Sequence, residues 1–93
     1  MSVLTLEFIP VRSQEILARS NPGETVSIMN LKNVNHLYMV DALAAEIWTH
    51  IDDKTPLKEI ARKIIKKHDP PEERFHRDLL SFMRKLKKEK IIL

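Results

Sequence analysis

Residues 36–51, HLYMVDALAAEIWTHI, decide the fold: a short apolar run rich in strand formers, then an aspartate, then apolar residues at helical spacing. Residues 36–40 suit a strand. It ends at Asp41, whose carboxylate can accept hydrogen bonds from the free amides of a helix that starts at Ala42. Leu43, Ile47 and Ile51 recur every four residues with Ala44 and Trp48 beside them, so this helix has one apolar face to bury.

Upstream, residues 15–19 read as a first strand. Asn21-Pro22-Gly23-Glu24 follows, where proline presets the first central turn position and the only glycine of the chain supplies a positive φ. Residues 25–31 are β-branched and apolar enough for a second strand, and residues 32–35 for a second turn. Downstream, Thr55-Pro56 opens a second helix with the stripe Leu57, Ile60, Ala61, Ile64 and Ile65. Asp69-Pro70-Pro71-Glu72 repeats the device with a cap, prolines in the first turn and a returning carboxylate.

The third helix is expected to run to about residue 90, with Phe75, Leu79, Phe82, Met83 and Leu86 on its core face. Leu80 falls roughly 120° from the centre of that face, on a flank with His76, Arg84 and Lys87. Residues 91–93, all aliphatic, read as a short strand or docking segment. The sequence thus predicts an α+β fold, winged-helix-like, with a three-stranded antiparallel sheet followed by three helices, as a single domain over residues 1–93.

Composition narrows the function. A chain of 93 residues with 43% hydrophobic and 31% charged residues is an ordinary globular domain with one modest core. It has no cysteine, which suits a cytoplasmic protein and excludes disulfides and thiolate metal sites. Residues 1–11 are too short and too interrupted for a signal peptide or a membrane anchor. His36, His50, His68 and His76 lack the spacing of metal ligands, one glycine cannot build a phosphate loop, and the adjacent Asp52 and Asp53 have no partner base. Neither metal, cofactor nor catalysis is expected. Residues 1–53 carry three basic against seven acidic groups and residues 54–93 thirteen against six, about −4 and +7. Lysines and arginines on helices are most often a solvated face.

Tyr38-Met39-Val40-Asp41 leading into Ala44-Ala45-Glu46-Ile47-Trp48, then Thr55-Pro56-Leu57-Lys58-Glu59-Ile60, Asp78-Leu79-Leu80-Ser81-Phe82 and residues 86–92, resemble the PqqD-like family over most of the chain. This is the pyrroloquinoline quinone biosynthesis protein D group, which includes the peptide recognition elements of modified-peptide biosynthesis. The resemblance implies a non-catalytic adaptor that binds the leader segment of a ribosomally made precursor peptide. The adaptor would present that peptide to a modifying enzyme such as a radical SAM protein.

The residues suit that role. A peptide laid along the free edge of the third strand would gain main-chain hydrogen bonds, and its apolar side chains would enter a groove beside the third helix. The strand side of such a site is His36, Leu37, Tyr38, Met39 and Val40, although alternation lets only about half of them face a groove. The helix side is His76, Leu80, Met83, Arg84 and Lys87, whose charge suits an acidic peptide.

Two other readings compete. In a DNA-binding winged helix, helices two and three would be the helix-turn-helix, but Asp69, Glu72, Glu73 and Asp78 stand where a recognition helix would meet the bases. Nucleic acid is therefore not the expected partner. In a structural module, the apolar residues 2–11 would cover the groove, pack on the core or exchange with a second copy to make a homodimer.

Overall fold

The computed structural model describes the backbone of residues 4–93 and all of their side chains except those of residues 33–36. Strands β1 (Ile16–Asn21), β2 (Thr25–Asn30) and β3 (Asn33–Asp41) precede helices α1 (Ala42–Thr49), α2 (Leu57–His68) and α3 (Glu72–Lys88). The strands form one antiparallel sheet in the order β1-β2-β3. The architecture is the α+β fold that the sequence predicts. The first hairpin closes between Asn21 and Thr25, with Gly23 at φ 82° and Glu24 at φ 60°. Glycine reaches that left-handed region without the Cβ clash that other residues meet.

Alternation along the strands divides the sheet into two faces. Val26, Ile28 and Val40 are buried on the inner face. The helices complete the core with Ala45, Ile47, Trp48, Leu57, Ile60, Ala61, Ile64, Phe75, Leu79, Met83 and Leu86; all but Ala45 belong to the stripes that helical periodicity picks out, whereas Leu43 and Ala44, expected on the buried face of α1, are only half-buried. Ile65 and Phe82, expected in the core, lie half-buried at its margin.

The helix starts differ from the sequence-based expectation. Asp41 occupies the N-cap position of α1 with the extended backbone usual there, at the end of β3 opposite Thr25, but makes no side-chain cap bond. Thr55 does not cap α2, since its hydroxyl donates to Asp52 at 2.9 Å and its amide to the same carboxylate at 2.8 Å. Asp69 terminates α2 in a left-handed conformation instead of capping α3. The amides at the start of α2 are satisfied from far away: Leu57 N–H donates to the Phe8 carbonyl at 2.8 Å and Lys58 N–H to the Leu6 carbonyl at 2.9 Å. An orphan amide needs an acceptor of any origin.

Residues 4–13 therefore form a strap on their own domain. Leu4, Leu6 and Phe8 pack against the core, and Glu7 pairs with Lys58 at 3.1 Å. The Arg12 guanidinium lies 4.2 Å from the Trp48 ring centre and donates to the Trp48 carbonyl at 2.7 Å. Burial lowers its pKa, which Asp53 and Asp52 partly offset. The strap then meets the other terminus: Ser13 N–H donates to the Ile91 carbonyl and Leu93 N–H to the Val11 carbonyl, both at 2.9 Å, and Ile91 and Ile92 are buried. Of the three arrangements open to the N-terminal segment, its described part adopts packing on the core.

Glu46 ties α1 to α2, accepting from His68 Nε2 at 2.9 Å and facing Lys67 Nζ at 3.5 Å. The His68 hydrogen bond holds its carboxyl below the usual glutamate range, the charges of His68 and Lys67 add to this, and burial opposes it. A carboxyl whose pKa is depressed on folding adds stability above its unfolded pKa, and this is lost as pH falls through the folded value. Glu46→Gln is expected to lower stability by about 1 kcal/mol or less near neutral pH, the range of exposed pairs. Urea midpoints of variant and wild type should converge as pH falls below the ordinary glutamate range and through the depressed folded value, where the wild-type carboxyl is protonated too. A difference that persists unchanged into acid would assign the effect to packing.

Candidate functional site

The two terminal strands of the sheet differ in what lies beside them. On β1, Ala18 and Ser20 point to the inner face yet are exposed, and the Ser20 end lines an open cavity of about 250 Å³ with Ala45, Glu46 and Thr49 of α1. On β3, Tyr38 is half-buried against the core and Val40 is buried. Burial raises the Tyr38 phenol pKa, and the nearby Glu89 carboxylate adds to the rise. Glu89 is the residue that closes α3, so the end of α3 lies near Tyr38. Helical geometry puts Asp78, Phe82 and Lys85 on the same flank of α3 as Glu89. Tyr38 and Phe82 are each half-buried against the core, and the strand edge beside Tyr38 is the side of the sheet nearest the end of α3.

The strand residues chosen from sequence divide by alternation. Tyr38 is half-buried on the inner face, Val40 sits in the core at 6% exposure, and Leu37 and Met39 lie on the opposite, outer face at 52% and 59% exposure. The side chain of His36 lies outside the described residues.

The helix residues go elsewhere. Met83 is fully buried at 0% exposure and has no surface to offer a peptide. Lys87 lies with its ammonium 5.2 Å from the Phe8 ring centre, against the strap. His76 lines a cleft of about 340 Å³ with Leu6, Lys58, Arg62, Ile65, Lys66 and Glu72, also beside the strap. Leu80 is half-buried against the core on this flank. Arg84 is exposed on the face of α3 that points away from the core. The structure thus separates the two halves of the sequence-derived site: the flank of His76, Leu80 and Lys87 faces the strap and α2, and the opposite flank faces β3. Phe82 and Lys85, which the sequence reading did not select, are on the β3 side. Periodicity reports the angle of a residue from the core stripe and is silent on which neighbour occupies either flank.

Among the described residues, no group of three or more His, Asp or Glu side chains is placed to hold a metal ion. No helix among them is long and apolar enough to cross a membrane.

A solved structure of TbiB1 in complex with the TbiA(beta) leader peptide superposes with a TM-score of 0.80, at 20% sequence identity, covering 88% of this chain and 93% of that one. At that identity the likeness shows a shared fold. Among curated proteins none matches the chain. The family model described as coenzyme PQQ synthesis protein D matches residues 24–92, the span from the first hairpin turn to the buried C-terminal isoleucines. The chain belongs to the PqqD family.

Proposed function

We propose that the domain captures the leader segment of a precursor peptide as an added strand on β3 and presents it to a peptide-modifying enzyme, contributing no chemistry of its own. The observation that carries this reading is a nine-residue strand at the end of the sheet, with the half-buried Tyr38 on its inner face and Glu89 at the end of α3 near it. Every alternate backbone unit of such an edge turns a donor and an acceptor away from its sheet, and an extended peptide satisfies both. Tyr38 and Phe82 suit one or two aliphatic or aromatic anchors, spaced two residues apart to share a face. Lys85 and Lys88 in the basic last turns of α3 favour acidic side chains beside those anchors. The leader complex of the TbiB1 structure lends support through the shared fold.

Fluorescence anisotropy with a labelled leader peptide from a precursor encoded beside this gene tests the reading. Saturable binding, with no comparable binding of a mixed DNA duplex at the same salt, supports it. Binding of the duplex alone, weakening steeply with salt, would make the domain a nucleic-acid binder. Faster modification of the precursor by its enzyme when the domain is added would support the presenting role.

A further inference from the structure

The outer face of the sheet carries no helix, and its side chains are those of a contact surface. Leu17 is 60% exposed, Leu37 52% and Met39 59%. The register puts Leu17 of β1, Met29 of β2 and Leu37 of β3 in one row across the sheet, followed by the row Arg19, Ser27, Met39 and then the row Asn21, Thr25, Asp41. Contiguous apolar residues of this kind on a small domain mark an interaction surface.

We infer that this face is the contact between two copies of the chain, stacked sheet on sheet about a two-fold axis parallel to the strands. Such an axis lays β1 of one copy over β3 of the other. The row Leu17-Met29-Leu37 reads the same from both edges, so the operation sets leucine on leucine and methionine on methionine, as an isologous contact requires. The charges complement in the same operation. Arg19 sits at one edge and Asp41 at the other, one row apart, so the guanidinium of each copy arrives diagonally beside the Asp41 carboxylate of its mate. Both side chains are exposed, and neither has an ion pair within its own domain among the described residues. The aligned packing of two antiparallel sheets, about 10 Å apart, accommodates side chains of this size.

The face measures roughly 15 Å by 20 Å from the spacing and rise of its strands. Two copies therefore bury less than the about 1,200 Å² at which tight complexes begin, and the pair is a weak dimer that forms and parts with concentration. The β3 edge stays open in it, so the inference stands apart from the peptide-binding reading. A strand added there would widen the stacked face.

Sedimentation equilibrium of the full chain from about 10 μM to about 1 mM is the test, a range that spans weak self-association. The expected result is a monomer–dimer equilibrium that Leu17→Glu abolishes while the circular dichroism spectrum is unchanged. Arg19→Glu and Asp41→Arg should each weaken the dimer about tenfold, because each turns two attractive surface pairs into repulsive ones. An equimolar mixture of those two variants should recover it, since the heterodimer restores both attractions. A wild type that is monomeric at the highest concentration would overturn the inference, as would a dimer indifferent to all three substitutions. Loss of modifying-enzyme binding by Leu17→Glu in a protein that stays monomeric would also overturn it and assign the face to the enzyme.

Discussion

Met83→Ala is expected to lower the unfolding free energy by about 2–5 kcal/mol, the range for truncating a large aliphatic side chain in a packed core. Met83 is fully buried on α3, between the sheet and the other helices. A small domain has only about 5–15 kcal/mol in total, so the urea midpoint should fall by a large fraction, with the slope little changed. The result separates two roles. A residue facing a peptide would cost affinity and leave the midpoint alone. Here the midpoint moves, and leader binding falls only as far as the folded population does. An unchanged midpoint would mean that α3 does not seat on the core through Met83.

Tyr38→Ala carries the largest expected effect on binding. A half-buried tyrosine on a terminal strand has the character of an interface anchor, and its removal should weaken leader binding about tenfold or more. The domain should remain folded by circular dichroism, because Tyr38 is at the margin of the core. Leu80→Asp is the matched control on the opposite flank of α3: it puts a carboxylate against the half-buried surface beside the strap. It should lower stability while the folded protein keeps wild-type affinity. Full affinity in Tyr38→Ala together with lost affinity in a folded Leu80→Asp would move the peptide to the strap side.

The contrast between those two residues shows how far the sequence can be read. The stripes Leu57-Ile60-Ala61-Ile64 and Phe75-Leu79-Met83-Leu86 were legible because helical periodicity and burial are local facts, each contained within one element. The turn at Gly23 was legible because few residues reach its backbone conformation. The caps were not. Asp41, Thr55 and Asp69 all have capping chemistry, yet the start of α2 is satisfied by the carbonyls of Leu6 and Phe8, about fifty residues earlier in the chain. No local pattern records such a contact.

The two flanks of α3 could not be told apart in the sequence for the same reason. Leu80 and Phe82 both lie off the centre of the core stripe, and only the positions of the strap and of β3 decide which flank meets the sheet. The strap announces itself through Lys87 on Phe8, and the sheet through Glu89 near Tyr38. On the strand side, alternation correctly limits the inward-facing residues to about half. Burial then removes Val40 and leaves Tyr38 as the one with a fully described side chain.

The most direct test of strand addition at β3 is amide NMR of the labelled protein with a series of leader peptides, each methylated at one successive backbone nitrogen. A peptide that pairs with the β3 edge donates to it through every second amide. Affinity should therefore fall about tenfold or more at alternate positions and hardly at the ones between, the cost of a lost main-chain bond that leaves its acceptor unpaired. Shifts at saturation should concentrate in β3 and in the α3 flank of Phe82, Lys85 and Glu89. Equal tolerance of methylation along the whole peptide, or shifts centred on the strap and the flank of His76 and Leu80, would contradict strand addition at β3.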